Sequence, residues 1–576
     1  ARIPGIGCNG KGILMPAGDT GPRVVGVNRT QDGSICVMDG SRVVCCIQKE
    51  RLSRRKHHWG RLGDLRDFYR NAVADLATRP IDALVECFSS DREIERLDQY
   101  DDELRATLTL APNARRARIS HHLSHLYSVF PPSPFDEAAV MIVDGQGSPA
   151  SQFDESWPGR ERTPGHWREV SSFYRADRSG RLECLDKQLW SGDEGEPVGL
   201  GMFYFLLTQA MFPGEGNEGK VMGLAPHGDP DAFGLPPLEV NGFDVTIPPA
   251  WREIVAVRPR FRYDPNDRSR FDDVANLAAA GQRAFEDALL KLATTLHERT
   301  GLDALCFAGG TGLNCSANDR LLRASPFAQL FIPPAPSDAG TSLGCAVYGL
   351  SALLGERCDW RWRDDVLGPE PREGAIERAL AGAHDLVVEK PDDLPKRFVD
   401  ELLATRVVAL YQGRSEFGPR ALGHRSIVGD PREGIVRDWI NAQVKEREWF
   451  RPLAPIVLLE EADRWFDIRR PSPFMQFAAP VHAEAVPRIP AVTHVDGTAR
   501  LQTVARDDDP LLRALLEGFA ARTGVPVLLN TSFNRREEPI VETPQQALDS
   551  FRRMPLHSIA MPPYFVRKRS APASLA

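Results

Sequence analysis

The chain has no apolar run long enough to cross a membrane and no cysteine pair at metal-binding spacing. No uninterrupted apolar stretch approaches the roughly 18 residues of a transmembrane helix, so no transmembrane helix is expected. The ten cysteines include no Cys-x-x-Cys pair, which argues against a structural zinc ribbon. Most of them lie inside apolar runs, where a reduced thiol behaves as a small hydrophobic side chain. A reducing, cytoplasmic compartment is therefore predicted.

Long blocks of like charge are also absent. The formal net charge of −8 is spread over the chain, whereas a nucleic-acid-binding protein concentrates basic residues on one face. Residues 1–22 are rich in Gly and Pro and lack the basic start and apolar core of a signal peptide, so we interpret them as an extension. Neither a nucleic-acid partner nor a membrane partner is expected, although the Arg-rich stretch 50–58 is a candidate anion site.

The length indicates more than one domain, because 576 residues exceed what a single hydrophobic core usually holds. Apolar runs that end in turns alternate with helix-like stretches, which predicts an α/β fold. The composition changes at 356–373, where charged residues and prolines replace the apolar runs. We place a first domain at 23–355, a linker at 356–373 and a second domain at 374–576, and no repeat is visible in the sequence.

The first domain is predicted to begin with antiparallel strands. Within 23–50, Asp39 and Gly40 separate two strand-like runs and predict a hairpin turn. A helix is predicted at about 63–78, followed by a strand at 82–90. These elements provide the frame for the turns considered next.

Three glycine-containing turns follow strand-like runs. They read "NRTQDGS" at 28–34, "DGQGS" at 144–148 and "GGTGLN" at 309–314. Backbone N–H groups in such turns, including those of Gly145 and Gly147, can cradle phosphate or adenosine. One such turn usually only reverses the chain. Three of them at strand ends in one domain fit a duplicated actin-like ATPase fold, where nucleotide lies between two lobes.

Histidine is scarce, yet the stretch "HHLSH" places three imidazoles within residues 121–125, out of 13 in the chain. If this stretch is helical, His121 and His125 lie one turn apart on one face, close enough to share a metal ion. Imidazole suits first-row transition metals, and carboxylates commonly complete such a site. Asp144 and Asp338 stand at the ends of predicted elements, where ligands are usually carried. The alternative is a helix that merely presents imidazoles at the surface.

Cations concentrate in the C-terminal part, beside runs that are predicted to be buried strands. Guanidinium groups bind phosphate and carboxylate oxygens in pairs, and lysine supplies a compact positive charge. Each cation alone is compatible with a solvated surface residue. Their Gly-Pro-Arg, Arg-Pro and Asn-Thr-Ser-Phe-Asn contexts are tight turns, which favours an anion pocket for a phosphorylated substrate. The residues concerned are Arg414, Arg420, Arg425, Lys445, Arg451 and Arg500.

Ten motifs, in order from about residue 23 to 566, resemble those of the NodU/CmcH O-carbamoyltransferases, a family that includes antibiotic-tailoring enzymes. The motifs are "KERLSRRKH", "HHLSH", "VDGQGS", "EGKVMGLAPHG", "GGTGLN", "PSDAGTSLG", "GRSEFGPRALGHRSI", "REWFRPLAP", "SPFM" and "NTSFN". The resemblance implies a first domain similar to tRNA-threonylcarbamoyl transferases of the actin-like ATPase (ASKHA) superfamily. It implies a YrdC-like second domain.

The resemblance also implies the reaction. The YrdC-like domain would combine carbamoyl phosphate with ATP, supplied with Mg²⁺, to give carbamoyl adenylate. The first domain, holding Fe²⁺, would transfer the carbamoyl group to a hydroxyl of a small-molecule acceptor such as an aminoglycoside, nucleoside, β-lactam or macrocycle. A homodimer is a further expectation.

By motif, the resemblance carries over three groups of site residues. His121, His125, Asp144 and Asp338 resemble the iron ligands. The carbamoyl phosphate and adenylate site is represented by Arg420, Lys445, Arg451, Arg500, Asn530 and Ser532. The nucleotide turn of the first domain is represented by Gly310, Gly312 and Asn314.

One position departs from the family pattern. Where the family usually has a histidine that acts as general base toward the acceptor hydroxyl, this chain has Gln31, followed by Asp32. Glutamine cannot accept a proton at neutral pH. We therefore expect Asp32 or a nearby imidazole, His57 or His58, to take that proton, unless the acceptor is unusually reactive or the enzyme is weakened.

Two alternatives remain open at this point. The first is another carbamoyl-transfer enzyme of the tRNA-modifying or hydrogenase-maturation type. A tRNA-modifying enzyme should show a basic footprint, and a hydrogenase-maturation enzyme should add cysteine-rich zinc motifs. The second is a nucleotide-binding regulator that has lost catalysis, and Gln31 is the only sequence feature that supports it.

Overall fold

The computed structural model describes residues 21–73, 79–89, 95–153 and 155–570, and these form a mixed α/β protein. Its strands are Arg23–Asn28 (β1), Ser34–Asp39 (β2), Arg42–Gln48 (β3), Ile81–Cys87 (β4), Leu110–Ile119 (β5), Glu137–Val143 (β6), Arg168–Asp177 (β7), Leu182–Trp190 (β8), Glu239–Asn241 (β9), Asp244–Thr246 (β10), Ala304–Ala308 (β11), Gln329–Phe331 (β12), Leu386–Glu389 (β13), Val407–Tyr411 (β14), Arg425–Gly429 (β15), Ala454–Leu458 (β16), Ala478–Pro480 (β17), Thr498–Arg500 (β18), Gln502–Val504 (β19), Val527–Ser532 (β20), Ser558–Met561 (β21) and Tyr564–Lys568 (β22).

The α-helices are Lys49–Ser53, Arg70–Ala72, Leu97–Thr107, His121–Val129, Leu200–Met211, Glu218–Leu224, Pro249–Ala256, Arg258–Phe261, Phe271–Thr300, Cys315–Ala324, Thr341–Tyr348, Ala375–Ala381, Leu394–Thr405, Gly434–Trp439, Pro510–Thr523 and Pro544–Arg553. Within the described ranges, no helix combines the length and the apolar character that crossing a membrane requires.

Two five-stranded sheets in the first part of the chain have the same topology. The first has the order β3-β2-β1-β4-β5 and the second the order β8-β7-β6-β11-β12. In each, the first three strands pair antiparallel and the last two are added parallel. The central strands β1 and β6 are apolar runs, buried along all or nearly all of their length, as expected for strands covered on both faces. The fold is therefore duplicated, although no repeat is visible in the sequence.

The C-terminal part forms a separate eight-stranded sheet of order β13-β22-β21-β14-β15-β20-β16-β19. Most neighbours pair antiparallel, and only β14 with β21 and β16 with β19 are parallel. Its central strands and the helices Leu394–Thr405 and Pro510–Thr523 bury their own apolar core. This sheet accordingly has its own apolar core, as expected for a second domain.

Several local predictions can be compared with the structure. The Asp39-Gly40 hairpin joins β2 to β3, as predicted. The described part of the stretch predicted to be helical at about 63–78 is helical, with a π-helical turn at Leu65–Tyr69 and an α-helical turn at Arg70–Ala72, and residues 74–78 lie outside the described residues. The predicted strand at 82–90 is β4, and residue 90 is also outside them. The predicted extension lies outside them up to residue 20.

The segment 356–373 has neither helix nor strand, but it packs against the first part of the chain. Trp362 and Leu367 are buried in the core of the first part, and the Trp362 Nε1–H donates to the carbonyl of Ser128 at 3.1 Å. The Leu367 carbonyl accepts the N–H of Cys46 in β3 at 2.7 Å. This packing restricts how far the second part can move relative to the first. The domain boundaries at 355 and 374 remain predictions.

Candidate functional site

The duplicated topology brings equivalent strand ends together. Chain segments that leave β5 and β12 both continue into helices, His121–Val129 and Thr341–Tyr348. The turns that leave β1 and β6 lie at the same edge, because the carboxyl ends of neighbouring parallel strands meet there. Three of these four segments, those after β5, β6 and β12, contribute side chains to one buried cluster, and the turn after β1 supplies a hydrogen bond to it.

The cluster is formed by His121 and His125 from the helix after β5, Asp144 from the turn after β6 and Asp338 from the segment after β12. We call it the histidine–aspartate cluster. The Nε2 atom of His121 lies 3.1 Å from Asp144 Oδ2, 3.2 Å from His125 Nε2 and 3.4 Å from Asp338 Oδ1. The four ligand atoms all lie within 4.8 Å of one another. The helix has placed the two imidazoles on one face, as its spacing predicts.

The remaining carboxylate oxygens of the cluster are held by other donors. The backbone N–H of Gly310 donates to Asp144 Oδ1 at 3.0 Å, and the Thr30 hydroxyl donates to Asp338 Oδ2 at 3.1 Å. The Asn28 amide donates to the carbonyls of Asp338, Gln31 and Asp32. Each acid is thus oriented with one oxygen directed at the imidazoles. Such outer contacts are typical of metal sites.

The donor set fits a transition-metal ion. Two imidazole nitrogens 3.2 Å apart point at each other, which is unfavourable unless a proton or a cation lies between them. Burial opposes charge on His121, but Asp338 and Asp144 outweigh it and hold the pKa of His121 well above its usual value. Burial raises the pKa of Asp144, yet its hydrogen bonds with His121 and His125 bring the pKa well below the ordinary range. Two imidazoles and two carboxylates suit iron, manganese, cobalt or zinc.

A glycine sets the distance between the helices that carry these ligands. A Cβ atom on Gly344 of helix Thr341–Tyr348 would overlap the carbonyl oxygen of Ser124 in helix His121–Val129. Only glycine therefore allows the two backbones to approach this closely. This approach brings Asp338, which precedes the second helix, to the histidines of the first.

His122 does not belong to the cluster. Its Nδ1 lies 2.7 Å from the Ser172 hydroxyl, and its backbone N–H donates to Glu169. Glu169 in turn pairs with the buried ammonium of Lys187 at 2.9 Å. Burial and the Lys187 charge lower the pKa of His122 well below its usual value, so this imidazole is neutral. It belongs to a structural network behind the helix.

The glycine turns that sequence patterns link to nucleotide have different surroundings. An added Cβ on Gly145 would meet no other atom within 4 Å, so its backbone is open. Gly147 packs against His122 and Glu169. Gly312 packs against Pro336. The Asn314 side chain exchanges hydrogen bonds with the Gln282 amide, and its oxygen accepts the backbone N–H of Ala317, which caps helix Cys315–Ala324. Gly145 and Gly310 are therefore the members of this set nearest the histidine–aspartate cluster, and Asn314 acts as a helix cap.

A cavity of about 280 Å³ lies between the first and second parts of the chain. Helix Lys49–Ser53 and the loop after it contribute Glu50, Lys56 and His57. We call this the arginine cavity, because the second part lines it with four guanidinium groups together with polar side chains. These residues are Arg420, Arg447, Arg451, Arg500, Asn530, Ser532 and Asn534.

The guanidinium groups repel one another. Burial and the positive charge of Arg500 lower the pKa of Arg420 to about 9. Burial and the charges of Arg451 and Arg500 lower the pKa of Arg447 well below its usual value. Within the described part of the chain, Arg420 has no hydrogen-bond acceptor, and the buried Nε of Arg500 also lacks one. Four buried cations this close together, with Arg420 lacking an acceptor, favour a polyanionic ligand.

Lys445 stands behind the wall of this cavity and does not line it. Its ammonium donates to the Ser532 and Asn534 carbonyls at 2.7 and 2.9 Å and contacts both side chains. Asn530 donates to the Ala421 carbonyl at 2.8 Å, and its Oδ1 has no partner among the described residues. Lys445 thus holds the strand end that presents Ser532, whereas the Asn530 oxygen is available for a ligand donor.

Asp32 and His57 form an ion pair at the edge of the cavity. Their Oδ1 and Nδ1 atoms are 3.0 Å apart, and both residues have φ near +50°. Burial lowers the pKa of His57, but the hydrogen bond and charge of Asp32 dominate and raise it to about 9. A Cβ on Gly216 would overlap the His57 Nε2, so glycine makes room for the ring there. Gln31 contributes a carbonyl to the Asn28 amide and is not part of the cavity lining.

Sequence reasoning missed the residues that hold the two sites in register. Thr30 binds the histidine–aspartate cluster, and Asp32, two residues later, pairs with His57 at the arginine cavity. Asn28 fixes the turn between them through three carbonyls. Its position at the end of β1, inside "NRTQDGS", was the available signal. Arg447 was also missed, although it is the first residue of the motif "REWFRPLAP".

Comparison with known proteins gives two family matches. The model described as "Carbamoyltransferase N-terminus" matches residues 105–239 and 255–347, and "Carbamoyltransferase C-terminus" matches residues 399–568. Nodulation protein NolNO of Sinorhizobium fredii is 33% identical over 94% of this chain and 79% of its own length. The 3'-hydroxymethylcephem-O-carbamoyltransferase of Amycolatopsis lactamdurans is 30% identical over 73% of this chain and 75% of its own.

Among solved structures, HypF from T. kodakarensis is similar at a TM-score of 0.36 and 12% identity. The match covers 58% of this chain and 48% of that one. A score at this level is too low to show a shared fold.

Proposed function

The chain belongs to the carbamoyltransferase family, and from that premise we propose that it is an ATP- and carbamoyl phosphate-dependent O-carbamoyltransferase. Carbamoyl phosphate and ATP would give carbamoyl adenylate in the arginine cavity. The carbamoyl group would then pass to a hydroxyl of a small-molecule acceptor beside the histidine–aspartate cluster. A YrdC-like second domain and an actin-like nucleotide site in the first domain are part of this proposal.

The observation that carries the proposal is the cluster of four guanidinium groups in the arginine cavity, of which Arg420 has no acceptor among the described residues. Arg420, Arg451 and Arg500 face a space also lined by the amide of Asn530 and the hydroxyl of Ser532. Carbamoyl phosphate and the ATP phosphates are polyanions, and guanidinium forks match their oxygens. Fixed cations also stabilise the oxyanion that develops when the carbamoyl carbon is attacked.

The overall reaction consumes one water molecule. Carbamoyl phosphate, ATP, an alcohol and water give the carbamate ester, AMP, pyrophosphate and phosphate. Adenylation makes AMP the leaving group, so a weakly nucleophilic hydroxyl can attack at neutral pH. A site enclosed between two domains limits hydrolysis of the adenylate before transfer.

His121, His125, Asp144 and Asp338 are the residues that would hold Fe²⁺, chosen over other divalent metals by family resemblance. A bound ion would act as a Lewis acid that polarises the carbamoyl carbonyl. Gly310 and Thr30 keep the two carboxylates oriented, and the helix His121–Val129 keeps both imidazoles on one side. ATP would enter as its Mg²⁺ complex, with Gly145 and Gly310 as candidate contacts in the first domain.

The Asp32–His57 pair takes the place of the general base that Gln31 cannot provide. A pKa of about 9 means that His57 is protonated at neutral pH and cannot accept a proton there. We therefore assign the proton of the acceptor hydroxyl to the Asp32 carboxylate. The His57 imidazolium balances its charge and adds a cation to the arginine cavity.

A test of the proposal separates the two half-reactions in the metal-loaded, full-length protein. Incubation with carbamoyl phosphate and Mg-ATP alone should release phosphate and pyrophosphate. Adding an alcohol, first a 3'-hydroxymethylcephem because one relative is named for it, should give a carbamate ester detectable by mass spectrometry. No pyrophosphate release with any metal would contradict the proposal and favour a nucleotide-binding regulator.

A further inference from the structure

An ion pair connects the two parts of the chain beside the arginine cavity. Lys220 lies on helix Glu218–Leu224 of the first part, and Glu448 lies three residues before Arg451 in the second part. The Lys220 Nζ is 2.9 Å from Glu448 Oε1. Their side chains are only 23% and 14% exposed, so water screens this pair weakly.

The same carboxylate forms a long ion pair with Arg451 but no hydrogen bond to it. Glu448 Oε2 lies 3.8 Å from Arg451 Nη1, beyond hydrogen-bond distance. That oxygen is buried and has no hydrogen-bond partner among the described residues. A movement of less than about 1 Å would bring the two groups to hydrogen-bond distance. Glu448 is thus the acid that would hydrogen-bond to Arg451 if Lys220 did not hold it.

The charge of Arg451 matters because of its position. Arg451 lines the arginine cavity with Arg420 and Arg500, and a carboxylate bound to it would occupy donors that a phosphate needs. Lys220 lies outside the cavity lining, so its ammonium does not compete for that ligand. Its effect on a bound anion must therefore pass through Glu448.

We infer that Lys220 is a positioning residue: by holding the Glu448 carboxylate, it keeps the Arg451 guanidinium free for a phosphate or carbamoyl phosphate group. This inference rests on the proposed function of the arginine cavity. It also makes the anion affinity of the second part depend on its docking against the first part, since the ammonium comes from the other side of the interface.

The experiment measures binding of inorganic phosphate and of carbamoyl phosphate to the full-length protein by calorimetry. Lys220→Met should weaken binding about tenfold, because Glu448 then pairs with Arg451. Lys220→Arg keeps a cation and should stay within about twofold of the original protein. The exposed Lys291→Met, on helix Phe271–Thr300, is the matched control and should change nothing.

A double variant distinguishes positioning from simple structural support. Glu448→Gln should bind phosphate as well as or better than the original protein, and adding Lys220→Met to it should cause less than about a threefold loss. In turnover assays, Lys220→Met should raise KM for carbamoyl phosphate while kcat stays nearly constant.

Unchanged binding in Lys220→Met, or a double variant as weak as Lys220→Met alone, would overturn the inference while leaving the proposed function intact. Failure of the original protein to bind either anion would overturn both.

Discussion

The histidine–aspartate cluster and the arginine cavity differ in how their charges are balanced. In the cluster, two acids face two imidazoles, and the free carboxylate oxygens are tied to Gly310 and Thr30. In the cavity, buried guanidinium groups of like charge face one another, and Arg420 has no acceptor within the described residues. The first arrangement is prepared for a small cation, the second for a large anion. The contrast implies that the two sites can be disabled separately.

The largest effect is expected from His121→Ala. Losing one of four donors should lower bound metal more than about tenfold and acceptor carbamoylation about 1000-fold, with pyrophosphate release changed less than about threefold. Metal analysis and product quantification check both steps. His122→Asn, one residue away but directed at Ser172, should keep its metal. Equal loss of both half-reactions in His121→Ala would contradict the separation.

Arg500→Ala tests the other side of the comparison. Removing one cation that stabilises developing negative charge should reduce pyrophosphate release about 100-fold, with the metal content unchanged. Arg464→Ala, whose side chain is 75% exposed in a surface ion pair, serves as the control and should be neutral. If Arg500→Ala also stripped the metal, the two sites would not be independent.

Gly344→Ala probes how the cluster is assembled. The added methyl group has to push helix Thr341–Tyr348 away from Ser124, which should lower the free energy of unfolding by about 3 kcal/mol and weaken metal binding. Phosphate binding to the folded protein should be unaffected. Gly434→Ala is the matched control for Gly344→Ala, because a Cβ at Gly434 would meet nothing within 4 Å. Thermal unfolding of this control should show no loss of stability.

The smallest effect concerns the pH dependence of the Asp32–His57 pair. Because folding raises the pKa of His57 to about 9, the stabilisation is fully present below the unfolded value of roughly 6.5 and is lost as the pH rises through 9. Because the His57 side chain is 33% exposed, water screens the ion pair, and we expect it to add about 1 kcal/mol to the free energy of unfolding. In Asp32→Asn, the free energy of unfolding should no longer change with pH between about pH 6.5 and 9. Replacing the exposed His384 by Gln should preserve the slope.

Much of the local structure could be predicted from sequence patterns. The Asp39-Gly40 hairpin and the buried strands before the glycine turns follow from short-range preferences. The duplication of the first two sheets could not be predicted from patterns, because strand order depends on backbone pairing, and many different apolar sequences satisfy the same pairing. The stretch predicted to be helical at about 63–78 is helical where it is described, but sequence patterns did not indicate the π-helical turn at Leu65–Tyr69.

The candidate site shows the same division. The i, i+4 spacing of His121 and His125 indicated a shared ligand face, and the structure places Asp144 and Asp338, which were also candidates from the sequence, beside it. The patterns did not indicate that Lys445 would bind Ser532 and Asn534 behind the cavity wall. Which cations stay unpaired depends on acceptors that are distant in the chain, such as those that Lys445 finds and Arg420 does not.

The sequence by itself determined the kinds of groups available: imidazoles one helical turn apart, carboxylates at strand ends and a surplus of arginines in the second part. Only the tertiary structure decided which of these charges are balanced. Helix approach at Gly344 brings acids to the histidines, while packing of the second part against Glu50, His57 and Lys220 leaves the guanidinium groups facing one another. The physical reason is that electrostatic pairing acts over a few ångströms in space, a distance that chain order does not specify.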